Sequence, residues 1–364
     1  MSLVIRPAHL ESDQELLIDT LIRHLNPLYD NVRFNWLYKN NPHGLARAWI
    51  MSDTTSSTVV GMAGAFPRRV YIGVQEATCW VLGDFCIHEH YRLLGPALQL
   101  QRSCLADMHP ETVAFSYDFP SASMLAVYKR LHIDPLGNIC RFAKPLRIDR
   151  KIEELVSVPP LVSLMKWVGN LALALQDHRQ RDTGDLTIAL YEGWCGEEFS
   201  VLARDVGWQY GVCVQRTAEY LNWRYVANPL VCCEILTARR HGVLVAYAVF
   251  AQSDEDAMVM DLFGIQDLQV IGTLVESLIK LLRKRCVITL SASLFESHPW
   301  MALFQRLGFR AREASPVVLY TPQGASPDGS MGCVYNVPRS ISIGVMWQIR
   351  SSVARSSRPT AMGS

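Results

Sequence analysis

The residues best suited to chemistry lie in one run, CIHEHYRLLGPALQLQ, from Cys86 to Gln101. The apolar segment CWVLGDFCIH over 79–88 reads as a long strand. It leads into the turn Tyr91-Arg92-Leu93-Leu94-Gly95-Pro96-Ala97 and then into an amphipathic stretch that reads as a helix to about Asp107. A small-residue turn lets main-chain N–H groups approach the oxygens of a phosphate, and the helix N-terminus behind it carries partial positive charge. Arg92 adds a fixed cation. Pro96 removes one donor from the turn but suits the first turn of a helix. Asp84, His88 and Glu89 put titratable groups on and just beyond the strand. Asp84 and His88 are an even number of residues apart, so on a regular strand they share a face with Cys86.

The elements around this run occur twice. FNWLYKNNP at 34–42 returns as LNWRYVANP at 221–229, so that Asn35, Trp36, Tyr38, Asn41 and Pro42 recur as Asn222, Trp223, Tyr225, Asn228 and Pro229. SMLAVYKRLHI at 123–133 is echoed by PWMALFQRLGF at 299–309. Two matched phrases in the same order indicate a duplicated domain rather than a short-period solenoid. The repeated Asn-Trp-x-Tyr phrase reads as packing, with Trp36 and Trp223 as core anchors.

Periodicity gives the same element order in each half. In the first, a strand at Val4–Pro7 and a helix around Leu16–Ile22 precede strands at 46–51, 58–66, 68–73 and 79–88. A helix, a strand at 112–117, a helix over Ser121–Leu131 and a strand at 139–147 complete it. The long strand, its helix and the next strand form a βαβ unit, which requires a parallel pair. In the second half, a strand at LTIALYEGW and a helix at EEFSVLARDV are followed by strands at 231–238, 243–252 and 257–265. A helix at 268–284, a strand at 286–291 and a helix at 298–307 follow. The fold class is α/β or α+β: two tandem domains, each a mixed, mostly antiparallel sheet flanked by helices. The expected boundaries are 1–148, a linker at 149–184, 185–323, and a partly disordered tail at 324–364.

Composition bounds the function. The chain has 364 residues, of which 49% are hydrophobic and 19% charged, enough for two cores. A net charge of +1 argues against a nucleic-acid binder that relies on a broad basic field. Ten cysteines without CxxC pairs or zinc spacing read as reduced thiols in a cytoplasmic protein, with no metal expected. The opening MSLVIRPAHLESDQE carries charges throughout and is not a signal peptide. The apolar stretch 156–176 contains Lys166, Asn170 and Pro159-Pro160, so it is expected to be an amphipathic connecting helix rather than a membrane span.

With these residues in view, the chain resembles the GCN5-related N-acetyltransferase superfamily, and in particular its bacterial tandem members, whose second domain carries an LNWRY phrase. The resemblance covers about 3–147 and 185–320. It rests on the Arg-x-x-Gly-x-Ala turn after strand four and on YDFPSASMLAVYKRLHI at 117–133. It implies that Arg92, Leu93, Leu94, Gly95, Pro96 and Ala97 hold the pyrophosphate of acetyl-CoA or another acyl-CoA. Phe85, Cys86 and Ile87 would hold the thioester and pantetheine. Ser121 stands where the superfamily usually has Asn, and His132-Ile133 where it has Gly-Phe. Tyr128 occupies the position of the tyrosine that protonates the leaving thiolate. Asp84 is the preferred candidate for the base that deprotonates the amine, with His88 and Glu89 as the others.

The second half departs from this pattern. AMVMDLFGI runs into Gln266-Asp267-Leu268-Gln269 without the turn, and Phe304 replaces Tyr128. The expectation is therefore acyl transfer from acyl-CoA to a small-molecule amine in the first half, with the second half shaping the acceptor pocket or buttressing the first half. An acyl carrier protein as donor, and a non-catalytic acyl-CoA-binding scaffold, are the alternatives. The amine, the acyl chain and the oligomeric state stay open.

Overall fold

The structure, a computed structural model of the chain, describes residues 2–149, 152, 163, 165–171 and 184–322. The connecting helix expected over 156–176 falls largely outside the described residues, and the tail after 323 wholly so. Among the described residues, no helix is long and apolar enough to cross a membrane.

The first half contributes β1 (Leu3–Pro7), α1 (Gln14–His24), α2 (Asn31–Phe34), β2 (Arg47–Asp53), β3 (Thr58–Ile72) and β4 (Gln75–Ile87). It continues with α3 (Leu94–Ala106), β5 (Phe115–Asp118), α4 (Ala122–Arg130) and β6 (Pro135–Pro145). The second contributes β7 (Leu186–Tyr191), α5 (Glu197–Val206), β8 (Val212–Val214), α6 (Ala218–Leu221), β9 (Cys233–Arg240) and β10 (Val243–Gln252). Then come β11 (Asp256–Gly264), α7 (Leu268–Lys284), β12 (Thr289–Phe295), α8 (Met301–Arg306) and β13 (Arg310–Tyr320). The fold is a mixed α/β sheet flanked by helices, as expected. The βαβ units are present, because β4 pairs parallel with β5 across α3 and β11 parallel with β12 across α7.

One sheet runs through both halves in the order β1-β2-β3-β4-β5-β13-β6-β12-β11-β10-β9-β7. The final strands are exchanged. β13 lies antiparallel to β5 of the first half, while β6 lies antiparallel to β12 of the second. β13 and β6 pair with each other at the centre. A further crossing comes from β8, which pairs with Val70–Ile72 of β3. Below one face of the first-half sheet, Trp49, Trp80, Leu100, Cys104 and Tyr128 form a core under α3 and α4. The opposite face is covered by α1 and belongs to a core that continues into the second half.

The strands expected at 58–66 and 68–73 are a single strand, β3, with Pro67 inside it. Pro67 lies past the last residue of β3 paired with β2 and before the first paired with β8, so its missing N–H breaks no ladder on that side. Its carbonyl there accepts from Asn41 Nδ2 at 3.0 Å and from Arg68 Nη1 at 2.8 Å. The repeated phrase forms a single π-helical turn in each half, Asn35–Lys39 and Asn222–Val226. The amides of Asn40 and Ala227 donate to the carbonyls of Asn35 and Asn222, five residues back.

Candidate active site

β4 and β5 pair only over Cys79–Val81 and Phe115–Tyr117. The β4–β5 register ends at Val81 and Tyr117 while β4 runs on to Ile87, and beyond that point the strands splay. A cavity of about 700 Å³ fills the gap. Its walls come from β4, from Asp118–Ser121 before α4, and from the turn before α3. The second half adds Arg216, Tyr220, Arg224, Tyr225 and Asp261. Both halves therefore build one cavity, a common setting for small-molecule sites.

Phe85, Cys86 and Ile87 line this cavity, as does Asp84. Asp84 sits at a β-bulge, where the β3–β4 register shifts between Met62/Gly64 and Cys86/Gly83. Its φ of 47° is left-handed, a conformation that side chains other than Gly rarely adopt and that concentrates at functional sites. The bulge interrupts the alternation on which a shared face with His88 was counted. Tyr29 and Tyr38 each donate a hydroxyl hydrogen bond to Asp84 Oδ2, at 2.7 and 3.0 Å. Burial pushes the Asp84 carboxyl above its ordinary value, against the opposing influence of Arg33 and the two hydroxyls. Burial, and after it the Asp84 charge, in turn raises both tyrosine hydroxyls. A carboxylate made more basic and facing a cavity is suited to accept a proton near neutral pH.

At the turn before α3, Leu93 is the N-cap of that helix, and no side chain caps it. The amides of Leu94 and Gly95 belong to the first helical turn and have no intrahelical acceptor. Arg92 Nε donates to the carbonyl of Ile87 at 3.0 Å, tying the turn to the end of β4. Arg92, Leu93, Leu94 and Ala97 line the cavity, while Gly95 and Pro96 do not. A Cβ built on Gly95 would meet nothing within 4 Å, so this turn is open to an approaching ligand.

The other expected residues are placed differently. Ser121 lines the cavity, but its hydroxyl is the N-cap of α4, accepting from the Met124 amide at 3.3 Å. Tyr128 is 1% exposed and belongs to the core beneath α3 and α4, not to the cavity lining. Its hydroxyl donates to Asp118 Oδ2 at 2.9 Å and accepts from Gln101 Nε2 at 3.4 Å. It is Asp118 that reaches the cavity wall. His88 and Glu89 lie outside the lining; the His88 Nδ1 accepts from the His90 amide at 3.2 Å, and its ring packs edge-on against His24.

Sequence reasoning missed several cavity residues. The repeated phrase is more than packing: Trp36 and Tyr225 line the cavity, and Tyr38 holds Asp84. The pairing of that phrase with an Asp on a distant strand had no local signal. Arg33 and Arg68 also line the cavity, each buried and each with an Nε that has no partner. A third buried arginine, Arg216, is paired through Nε and Nη2 with both oxygens of Asp261, at 2.8 and 3.0 Å.

In the second half the matching helix N-terminus is capped by a side chain. Asp267 is the N-cap of α7, and its carboxylate accepts from the amides of Gln269 and Val270 at 2.8 and 3.4 Å. The donors that would face a phosphate are thus occupied by the chain itself. Phe304, the counterpart of Tyr128, is fully buried.

No family model matches the chain, and no curated protein matches it by sequence. Solved structures do match by fold. One is a conserved Enterococcus faecalis protein of unknown function, described as a probable N-acyltransferase. It has a TM-score of 0.64 and 12% identity, over 89% of this chain and 73% of that one. A GCN5-related N-acetyltransferase from Anabaena variabilis gives 0.64 and 12%, over 87% and 72%. The N-myristoyltransferase of Saccharomyces cerevisiae with bound myristoyl-CoA gives 0.54 and 12%, over 95% and 84%. The fold is that of the GCN5-related N-acetyltransferases.

Proposed function

We propose that the chain is an N-acyltransferase that moves an acyl group from acyl-CoA to a primary amine. The observation that carries this reading is the splayed β4–β5 cavity, with an uncapped helix N-terminus and Arg92 at one end and Asp84 in its wall. The fold relatives named above, one of them holding myristoyl-CoA, support the same class of donor.

In this mechanism the pyrophosphate rests on the amides of Leu94 and Gly95 and beside Arg92. Residues 85–87 align the thioester along the unpaired edge of β4. Asp84, made more basic by burial, takes the proton from the incoming ammonium. The amine then attacks the carbonyl carbon, the C–N bond forms, and the C–S bond breaks. The second proton that the nitrogen sheds in becoming an amide passes to the departing sulfur, directly or through water, so the products are the amide and the free thiol. Tyr128 acts as a positioning residue here, since its hydroxyl proton is committed to Asp118 and the acid role implied by the resemblance needs that bond to break.

The test is a calorimetric titration with coenzyme A, combined with thiol release from acetyl-CoA in the presence of an amine panel. One site per chain is expected, weakened by Arg92→Glu, because the same helix position in the second half is filled by Asp267. Two sites per chain, or unchanged affinity in that variant, would overturn the assignment. Binding without any thiol release would make the chain an acyl-CoA binder instead. Release only from carrier-bound thioesters would move the donor to an acyl carrier protein.

A further inference from the structure

The cavity wall holds five arginines, Arg33, Arg68, Arg92, Arg216 and Arg224, against three aspartates, Asp84, Asp118 and Asp261. Asp261 is spent on Arg216, Asp118 receives the Tyr128 hydroxyl, and Asp84 receives two. Two buried arginines of this wall have a partnerless Nε; Arg33 lies near enough to Asp84 to lower its carboxyl, and Arg68 is the other. It is 4% exposed and stands on β3 opposite Cys79. Its Nη1 donates to the Pro67 carbonyl at 2.8 Å, and its guanidinium lies 5.9 and 5.2 Å from the ring centroids of Tyr220 and Trp223. Its Nε has no partner, and among the described residues no carboxylate lies within 4.0 Å of it. A buried charge without a counter-ion is costly, and proteins ordinarily pair it. Arg216 illustrates how this chain does so, with a carboxylate on the Nε–Nη2 edge. Arg68 presents that same edge without a partner at Nε.

The coenzyme phosphates are not the missing partner. Arg92 follows the far end of β4, whereas Arg68 faces Cys79, eight residues back from Ile87. At about 3.3 Å per residue that is roughly 26 Å. What remains is the acceptor. We propose that the acyl acceptor is an amine that also carries an anionic group, a carboxylate or phosphate, and that Arg68 binds this group at the end of the cavity away from the coenzyme turn. The inference rests on the acyl-transfer reading of the same cavity. Register also sets the length of the molecule. Ala63, beside the Asp84 bulge, is five residues from Arg68 along β3, a rise of about 16 Å that the arginine side chain only partly spans. The amine and the anion are therefore separated by a spacer of several bonds rather than carried on one carbon, and an α-amino acid is too short.

The experiment measures binding first, so that it does not depend on turnover. The full chain is saturated with coenzyme A to fill the phosphate turn and titrated calorimetrically. The probes are glycine, β-alanine, 6-aminohexanoate, 8-aminooctanoate and phosphoethanolamine, each beside its uncharged amide or alcohol. At least one long acid is expected to bind at least about 10-fold more tightly than its amide, since a desolvated charge pair is being made. Arg68→Met should abolish that ratio, while Arg68→Lys keeps part of it. Because Arg68→Met removes an unpaired buried cation, its thermal midpoint without ligand should equal or exceed that of the parent chain, which guards against misfolding as the cause. Preference for phosphoethanolamine over the carboxylates would identify phosphate as the anion. If no acid binds better than its uncharged partner, or if the ratio survives in Arg68→Met, the proposal fails. Thiol release from acetyl-CoA with the same probes is recorded separately. Turnover without anion preference overturns only this inference, while anion binding without turnover under any condition overturns only the acyl-transfer reading.

Discussion

The indole N–H of Trp36 donates to the main-chain carbonyl of Trp223, and the indole N–H of Trp223 donates to that of Trp36, both at 2.9 Å. The rings stack at 5.2 Å between residues 187 positions apart. Each indole comes from the π-turn of one copy of the repeated phrase, so the phrase is self-complementary at this point. The pair also floors the cavity, because Trp36 lines it and Arg68 and Arg224 lie over the two rings.

Reciprocity makes a quantitative expectation. Trp36→Phe and Trp223→Phe should each cost about 1–3 kcal/mol, combining a lost buried hydrogen bond with reduced ring area. The double variant should cost less than their sum, by 0.5 kcal/mol or more in order of magnitude, because either change already breaks the exchange. Urea unfolding of the four proteins checks this. Additivity within about 0.3 kcal/mol would mean that the two bonds act independently.

Asp84→Asn separates chemistry from stability. Both tyrosine hydroxyls donate to a single oxygen of Asp84, which the amide oxygen of Asn reproduces. Turnover should fall about 10²–10⁴-fold, the usual loss for one acid–base group. The stability effect runs the other way. Burial raises the folded value above 3.8, so the wild-type carboxyl favours the folded state below that pH and loses this contribution as pH rises through its folded value. The Asn variant cannot ionise, so its thermal midpoint should match or exceed wild type at pH 7, with the gap closing toward pH 4. A variant less stable at pH 7 than at pH 4, relative to wild type, would show that the carboxylate charge is stabilised in place.

The strand exchange predicts what happens to a bisected chain. Residues 1–150 alone lack β13, leaving β5 with an open edge and β6 with neither of its partners. An open edge invites aggregation. That fragment should show no cooperative unfolding transition unless the second half is supplied in trans. Cooperative unfolding and full turnover from residues 1–150 by themselves would contradict this.

Much of this architecture was legible from local pattern, and the limits were physical. The turn at 91–97 and the βαβ unit follow from a strand running into a helix, which composition marks within a few residues. β13 was missed because Arg310–Ala314 is solvent-exposed and only Val317 and Val318 are buried, so no alternation marks it. The bulge at Asp84 has no sequence mark except the neighbouring Gly83. Its tyrosine partners are 46 and 55 residues away. Arg68 carried no signal of its own within the strand expected at 68–73, because period-2 counting cannot tell a sheet face that meets water from one closed over by the second half.

Tyr128 brings the largest departure from what the family resemblance implied. A tyrosine that protonates a thiolate must point its hydroxyl at the sulfur; here it points at Asp118, and burial together with that carboxylate raises the hydroxyl well above its ordinary value. Such a group gives up its proton reluctantly. Tyr128→Phe keeps the ring and removes both hydrogen bonds, and the second half already tolerates Phe304 at the matching position. The expected result is a stability loss of about 1–3 kcal/mol, because the Asp118 carboxylate loses a buried donor. Turnover should fall less than about 10-fold, below the range for a group that transfers the proton itself. Measuring kcat under conditions where chemistry limits the rate, alongside urea unfolding, decides between the roles. A loss of two orders of magnitude in kcat with unchanged stability and unchanged acyl-CoA affinity would return Tyr128 to the role of acid, since only an interaction made in the transition state behaves that way.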